Sequence, residues 1–276
     1  MNRPVLVDEG LPDALGDAQK RPAASRVARP ARVLHLMQCM YLGGTEQTAY
    51  ALMRGLHGPD YRFEIVSMHP PGEGAEFMTR LGIPVRGQEY RGRFGWRSHG
   101  ELRRTIGCLP CDLVLVTGPT LSGAMAVRHA LSRRRVLSVH YHHGADRISR
   151  LKWRAFYGTF GRDYARIVFP TDFIRREAES IAPELAARFR TIRNSITAVP
   201  RRSPGERERL RRAWGLPSGV PVVTNAGQLI RRKRWDVFLN VAARVAGRNP
   251  DAHFLIAGDG PERSALEDLA LSLIHI

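Results

Sequence analysis

A short apolar run that breaks into paired glycines and then into a helical repeat limits most strongly what this chain can fold into. Val33-Leu34-His35-Leu36-Met37 has the length and composition of a strand buried on both faces. Gly43 and Gly44 follow, where the chain can turn tightly and something can approach the backbone. Beyond them Ala49, Leu52, Met53 and Leu56 recur at helical spacing, which predicts a helix from about Thr45. A strand that runs through glycines into a helix leaves unpaired N–H groups at the helix start. Such a start is an anion site.

The same alternation continues along the chain. Residues 63–67, 113–116, 136–139 and 166–169 read as strands. Between them come a short helix at 76–81, an Arg- and Gly-rich surface loop at 86–100, and a helix with Leu121, Ala124, Met125 and Leu131 inward. Trp153, Phe156, Tyr157, Phe160 and Tyr164 fall at helical spacing and read as core rather than as a stacking surface. Thr171 is placed to cap a helix carrying Phe173 and Ile174, and Thr191-Ile192-Arg193-Asn194 closes this unit. Alternation of this kind means an α/β fold, an open parallel sheet with helices on both faces. After a Pro- and Ser-containing linker and a charged helix (199–214) it restarts. A strand at 221–225 leads to a helix with Val237, Phe238, Val241 and Val245, then a strand at 253–257 and a last helix with Leu266 and Leu269. The expected boundaries are a disordered tail at 1–29, an N-terminal Rossmann-like domain at 30–198, and the beginning of a second one at 215–270. The hexapeptide 271–276 stands where a polar turn and a third strand are expected, and reads as a non-native tail.

The charge balance bears on partners. The formal net charge is +17, carried mainly by Arg, with lysine only at positions 20, 152 and 233. This suits an anionic partner but does not choose among nucleotide, nucleic acid and membrane surface. No apolar run is long enough to span a bilayer, and no secretory signal is legible at the N-terminus. Cys108-Leu109-Pro110-Cys111 has dithiol spacing but precedes a strand, whereas a redox pair opens a helix. A reduced, cytoplasmic setting is expected. His140, His142 and Asp146 do not complete a metal pattern, because Gly144 stands where a carboxylate is needed. No GxGxxG follows a strand, which argues against a dehydrogenase.

Four landmarks together resemble the retaining, nucleotide-sugar-dependent glycosyltransferases of family 4, which have the GT-B architecture. They are Leu42-Gly43-Gly44-Thr45-Glu46, His140 at a strand end, Gly227-Gln228-Leu229 with Lys233, and Ala257-Gly258-Asp259-Gly260-Pro261-Glu262-Arg263 with Leu266. The resemblance covers about residues 32–270. Gln228 departs from the family's usual Arg, and an amide offers a diphosphate only neutral hydrogen bonds; Arg231, Arg232 and Arg234 are the candidates to compensate. The family's glutamate pair lies beyond the last residue of this chain, so a C-terminally truncated, inactive chain is expected.

The resemblance implies two doubly wound domains facing a cleft, the second incomplete. It implies transfer of a sugar from a nucleotide-diphosphate-sugar donor to a sugar, lipid-linked or other hydroxyl acceptor, with retention. Lys233 would take the diphosphate and His140 would sit by the transferred sugar. Gly43, Gly44, Thr45, Glu46, Gly227, Gln228, Gly258 and Gly260 would complete the donor site. No cofactor or metal is expected, because the nucleotide-sugar is a substrate. Peripheral contact with the inner face of the membrane is compatible with this reading. Specific nucleic-acid binding is not expected, because the aromatics do not interleave with Arg. The competing expectation is a basic, non-enzymatic α/β protein that binds a membrane surface or nucleic acid.

Overall fold

A computed structural model describes residues 29–40, 43–88, 96–118, 120–130, 135–139, 147–194 and 201–274. The expectations for the tail at 1–28, Leu42, Leu131, His140, His142, His143 and Asp146 lie outside these residues. The chain divides into two compact units, Met1–Ile196 and Thr197–Ile276.

The first unit contains a seven-stranded parallel sheet. Its strands are β1 (Ala31–Met37), β2 (Tyr61–Ser67), β3 (Val85–Gly87), β4 (Leu113–Thr117), β5 (Arg135–Val139), β6 (Tyr164–Phe169) and β7 (Phe189–Thr191), in the spatial order β3-β2-β1-β4-β5-β6-β7. The helices are α1 (Gly44–Leu56), α2 (Gly74–Arg80), α3 (Trp96–Cys108), α4 (Leu121–Ala130), α5 (Arg147–Phe160) and α6 (Asp172–Ile181). Successive strand residues point to opposite faces. Val33, Met37, Phe63, Ile65 and Leu115 therefore meet Ala49 and Met53 of α1 and Met78 of α2. On the other face Leu34, Leu36, Val66, Val114 and Val116 meet α3 to α6 through Leu102, Ile106, Ala126, Val127, Tyr157, Phe160 and Ile181. The helices change face because the chain starts at the centre of the sheet, winds outward to β3, then returns to β4 and winds the other way. Crossovers of one hand place the two sets on opposite sides. The reversal lies between β1 and β4, the position in a doubly wound sheet where a crevice forms.

Several sequence expectations are corrected. Residues 96–100 are not loop but the first turns of α3, and β3 begins at Val85. Leu102 and Ile106, one helical turn apart and fully buried, hold α3 on the sheet. Leu121 of α4 is exposed rather than inward, and Leu52 and Leu56 of α1 and Phe173 of α6 are exposed too. Each helix buries a narrower stripe than its apolar residues allow. In α4 the small residues Gly123, Ala124 and Ala126, with Val127, take the contact. Tyr164 opens β6 instead of ending α5. The aromatic reading of α5 agrees with the structure: Tyr157 and Phe160 are buried, and Trp153 and Phe156 pack against the same core. Thr171 caps α6 as expected, its Oγ1 accepting from the Ile174 N–H at 3.2 Å.

The second unit contains α7 (Pro204–Ala213), β8 (Val222–Ala226), α8 (Trp235–Ala246), β9 (His253–Ala257) and α9 (Arg263–Ile274). β8 and β9 pair in parallel as a two-stranded sheet. Ser203 caps α7 in a reciprocal box with Glu206. In α8, Val237, Val241 and Val245 are exposed, and Trp235, Leu239 and Ala242 are buried. The rotation is fixed by Trp235, whose indole N–H donates to the Gln228 carbonyl at 2.8 Å. α9 runs through residues 271–274 in the same helix as Arg263.

Candidate functional site

In the first unit the glycine turn stands beside the reversal. Gly43 is extended (φ −146°, ψ 175°) and forms the N-cap of α1 without any side-chain cap. Its carbonyl accepts the first helical bond, from the Gln47 N–H at 3.0 Å. The N–H groups of Gly44, Thr45 and Glu46 have no intrahelical acceptor, as at any helix start. A β-carbon at Gly44 would meet open space, so the turn does not require glycine there for packing. The absence of a side chain leaves the backbone open to an approaching group. Glu46 is half-buried, and burial raises its carboxyl pKa above the usual range against its own backbone hydrogen bond and the Cys39 thiol. The thiol donates to its Oε1 at 3.8 Å.

His35, in the middle of β1, passed in the sequence as one more residue of a buried run. It is 1% exposed, and its Nε2 lies 2.8 Å from Thr117 Oγ1 of β4. Burial lowers its pKa to about 3, so the ring is neutral. The contact joins the two strands that flank the reversal.

In the second unit the glycines act on one another. The ladder of β8 and β9 continues into the loops that follow: the Gly227 N–H donates to the Ala257 carbonyl (2.9 Å) and the Leu229 N–H to the Asp259 carbonyl (2.8 Å). The Glu262 N–H then returns to the Leu229 carbonyl (3.0 Å). A β-carbon on Gly258 would overlap the Gly227 carbonyl, and one on Gly260 would crowd the Leu229 backbone. Gly227 and Gly260 also take φ of 154° and 157°, which favours glycine. These glycines thus let two loops pack backbone on backbone. Packing rather than ligand approach is the first reason for them.

Lys233 ends a short 3-10 turn, Arg231–Lys233, that leads into α8. It is exposed, and its ammonium forms no ion pair among the described residues. The next residue, Arg234, takes a left-handed conformation (φ 53°, ψ 47°) and grips Asp236 through Nε and Nη2 at 3.0 and 2.9 Å. Of the cations considered as substitutes for an Arg at 228, Arg234 is therefore already neutralised by Asp236. Arg231 lines a cleft of about 410 Å³ with Trp235, Glu262 and Leu266. The structure brings Gly227, Gln228, Gly258 and Gly260 together on one loop pair, with Lys233 on the turn that follows. Among the described residues there is no group of three or more His, Cys, Asp or Glu that could hold a metal ion.

Sequence reasoning did not find a large cavity in the first unit. It measures about 1050 Å³ and lies between α4, α5 and the segments after β1 and β2. Its walls come from stretches far apart in the chain, so no local pattern marks it.

Residues 42–199 match the family model described as Glycosyltransferase Family 4, and residues 206–274 match that of Glycosyl transferases group 1. Over 102 residues the chain is 37% identical to a 2-deoxystreptamine glucosyltransferase of Streptomyces kanamyceticus, a match spanning 35% of this chain and 26% of that protein. A 2-deoxystreptamine N-acetyl-D-glucosaminyltransferase of Niallia circulans is 36% identical over 50 residues, 18% of this chain and 13% of that one. The fold is similar to that of HepE from Anabaena, solved in complex with UDP and glucose, with a TM-score of 0.67 at 15% identity, covering 89% of this chain and 66% of that one. At that identity the likeness speaks for the fold, a GT-B architecture.

Proposed function

The chain belongs to glycosyltransferase family 4, and from that membership we propose that it serves to move a sugar from a nucleotide-diphosphate-sugar to a hydroxyl acceptor, with retention at the anomeric carbon. The observation that carries the proposal is Lys233. It is an exposed cation with no ion pair among the described residues, at the entry to α8, on a turn fixed by Trp235 and by the glycine loop pair. As the donor's glycosidic bond breaks, negative charge grows on the leaving phosphate and positive charge on the sugar ring. Fixed donors and charges that await the leaving group stabilise this transition state more than the ground state. Lys233 and Arg231 supply the charge, and Gln228 adds neutral hydrogen bonds in place of a guanidinium.

In this reading Gly43, Gly44 and Thr45 offer N–H groups to the donor's phosphate or sugar. Glu46 holds sugar hydroxyls, and His140 stands by the transferred sugar. The acceptor attacks the face that the leaving group vacates, so no protein nucleophile is assigned. No metal takes part in this scheme, because the cations named do the neutralising. The acceptor is a sugar or a lipid-linked hydroxyl compound. Peripheral contact with the inner membrane face fits α5, where Arg147, Arg150, Lys152 and Arg154 accompany exposed Ile148 and Leu151.

Calorimetric titration with uridine diphosphate tests the site. Lys233→Ala is expected to weaken binding about tenfold, or about 1.4 kcal/mol. Unchanged affinity in the variant would remove Lys233 from the site. The second unit pairs only two strands among its described residues, and much of β8 is exposed. Sugar transfer by these 276 residues alone is therefore not expected. Detecting it would show that the donor half of the site is complete as it stands.

A further inference from the structure

The cavity of about 1050 Å³ in the first unit reaches the top of the range usual for small-molecule pockets, about 300–1,000 Å³. Its walls divide chemically. Leu121, Met125, Trp153 and Phe156 form an apolar side, and Leu121 is 54% exposed although nothing polar requires it there. The rim carries the basic side chains Arg128, His129 and Lys152, and among its described lining residues there is no carboxylate.

These side chains are not equivalent. Arg128 is held by Asp163 (Nε to Oδ2, 2.6 Å), by the Thr159 carbonyl, and by the Phe160 ring 4.5 Å from its guanidinium carbon. His129 faces His99, with Nδ1 and Nε2 3.5 Å apart. The Lys152 ammonium is exposed and forms no ion pair among the described residues. It stands next to Trp153 on α5. An apolar trough beside an ammonium with no ion pair among the described residues matches a ligand with an alkyl or aryl body and an anionic head. A cationic ligand of the same shape meets no carboxylate among the described lining residues.

We propose that this cavity binds an anionic amphiphile of the alkyl phosphate class, with its apolar body along Leu121, Met125, Trp153 and Phe156 and its head at Lys152. Assigning that amphiphile as the sugar acceptor rests on the glycosyltransferase reading above. The binding itself does not.

The test uses dodecyl phosphate below its micellar concentration, followed by tryptophan fluorescence, because Trp153 lines the cavity. Dodecyltrimethylammonium serves as the cationic counterpart. Dodecyl phosphate should bind about tenfold more tightly than the cation. Lys152→Glu should erase that preference, and Leu121→Asp should weaken both amphiphiles. Both side chains are exposed, so both variants should keep the parent's thermal midpoint. Equal affinity for the two amphiphiles, or dodecyl phosphate binding unaffected by both substitutions, would overturn the proposal. So would attachment to vesicles of anionic phospholipid without binding of the monomer, which would assign the charge to a membrane surface. The nucleoside diphosphate titration on the same samples separates the two readings. If it is intact while the amphiphile fails, only the cavity falls; if the reverse, only the donor site does.

Discussion

The two units answer the same sequence pattern with different degrees of cover. In the first, β1 is buried along most of its length because helices lie on both faces of the sheet. Each fully buried Leu, Ile, Met or Phe contributes about 1.5–3 kcal/mol, and this unit has many. In the second, β8 is largely exposed, and Leu229, Trp235, Leu239 and Ala242 are its buried apolar residues among those described. What organises the second unit is backbone: two glycine loops interlocked by hydrogen bonds, and one indole N–H that sets the rotation of α8. Burial thus holds the part with the cavity, and close backbone contact holds the part with the exposed lysine. Substitutions should act differently in the two.

The largest expected effect breaks the second unit alone. Gly258→Ala puts a methyl group into the Gly227 carbonyl, backbone against backbone, and should cost more than about 3 kcal/mol. Hydrogen exchange should show β8 and β9 losing protection while β1 and β4 keep theirs. Retained protection in β9 would mean that the loop contact is not what organises this unit. Next is an effect confined to the first unit. The folded-state pKa of His35, about 3, lies below its unfolded value of 6.5. Between these values the unfolded chain binds the extra proton, so stability falls as pH falls through the window. From pH 6.5 to 4 the loss should be about 3 kcal/mol. His35→Gln should flatten this slope, read as the difference between parent and variant in urea titrations at several pH values. A smaller effect returns to the second unit. Ser203→Ala removes the capping box of α7 and should lower stability by about 1 kcal/mol, visible in the urea midpoint of that unit only. The smallest concerns Arg234. Glycine there relieves the left-handed backbone but gives up an exposed ion pair with Asp236, which is worth little in water. Arg234→Gly should leave the thermal midpoint unchanged or slightly higher, and a clear drop would show that the pair outweighs the backbone.

The parts legible in the sequence were those written locally. The strand, glycines and helix around Gly43 are contiguous, and period and turn chemistry reveal them directly. The helix α3 was hidden because its first turns carry Arg, Ser, His and Gly, leaving only Leu102 and Ile106 to mark its inward face. The buried face of α8 is hidden for the opposite reason. Its valines repeat convincingly, yet one hydrogen bond from Trp235 decides the rotation, and hydropathy does not record such bonds. Gly258 and Gly260 were legible as a motif, but the reason for them appears only when the second loop is laid against the first. His35 was concealed by its apolar neighbours, and the cavity by the distance in sequence between its walls.

The reversal of the sheet between β1 and β4 has a consequence for how such a protein can change. It makes neighbours of the segments after Met37 and after Thr117, which the chain keeps about eighty residues apart. Both leave the sheet at the same rim. Either can be lengthened, shortened or exchanged while β1 and β4 stay in register through His35 and Thr117. The rim can therefore drift one loop at a time, on a scaffold that need not be reinvented with each change.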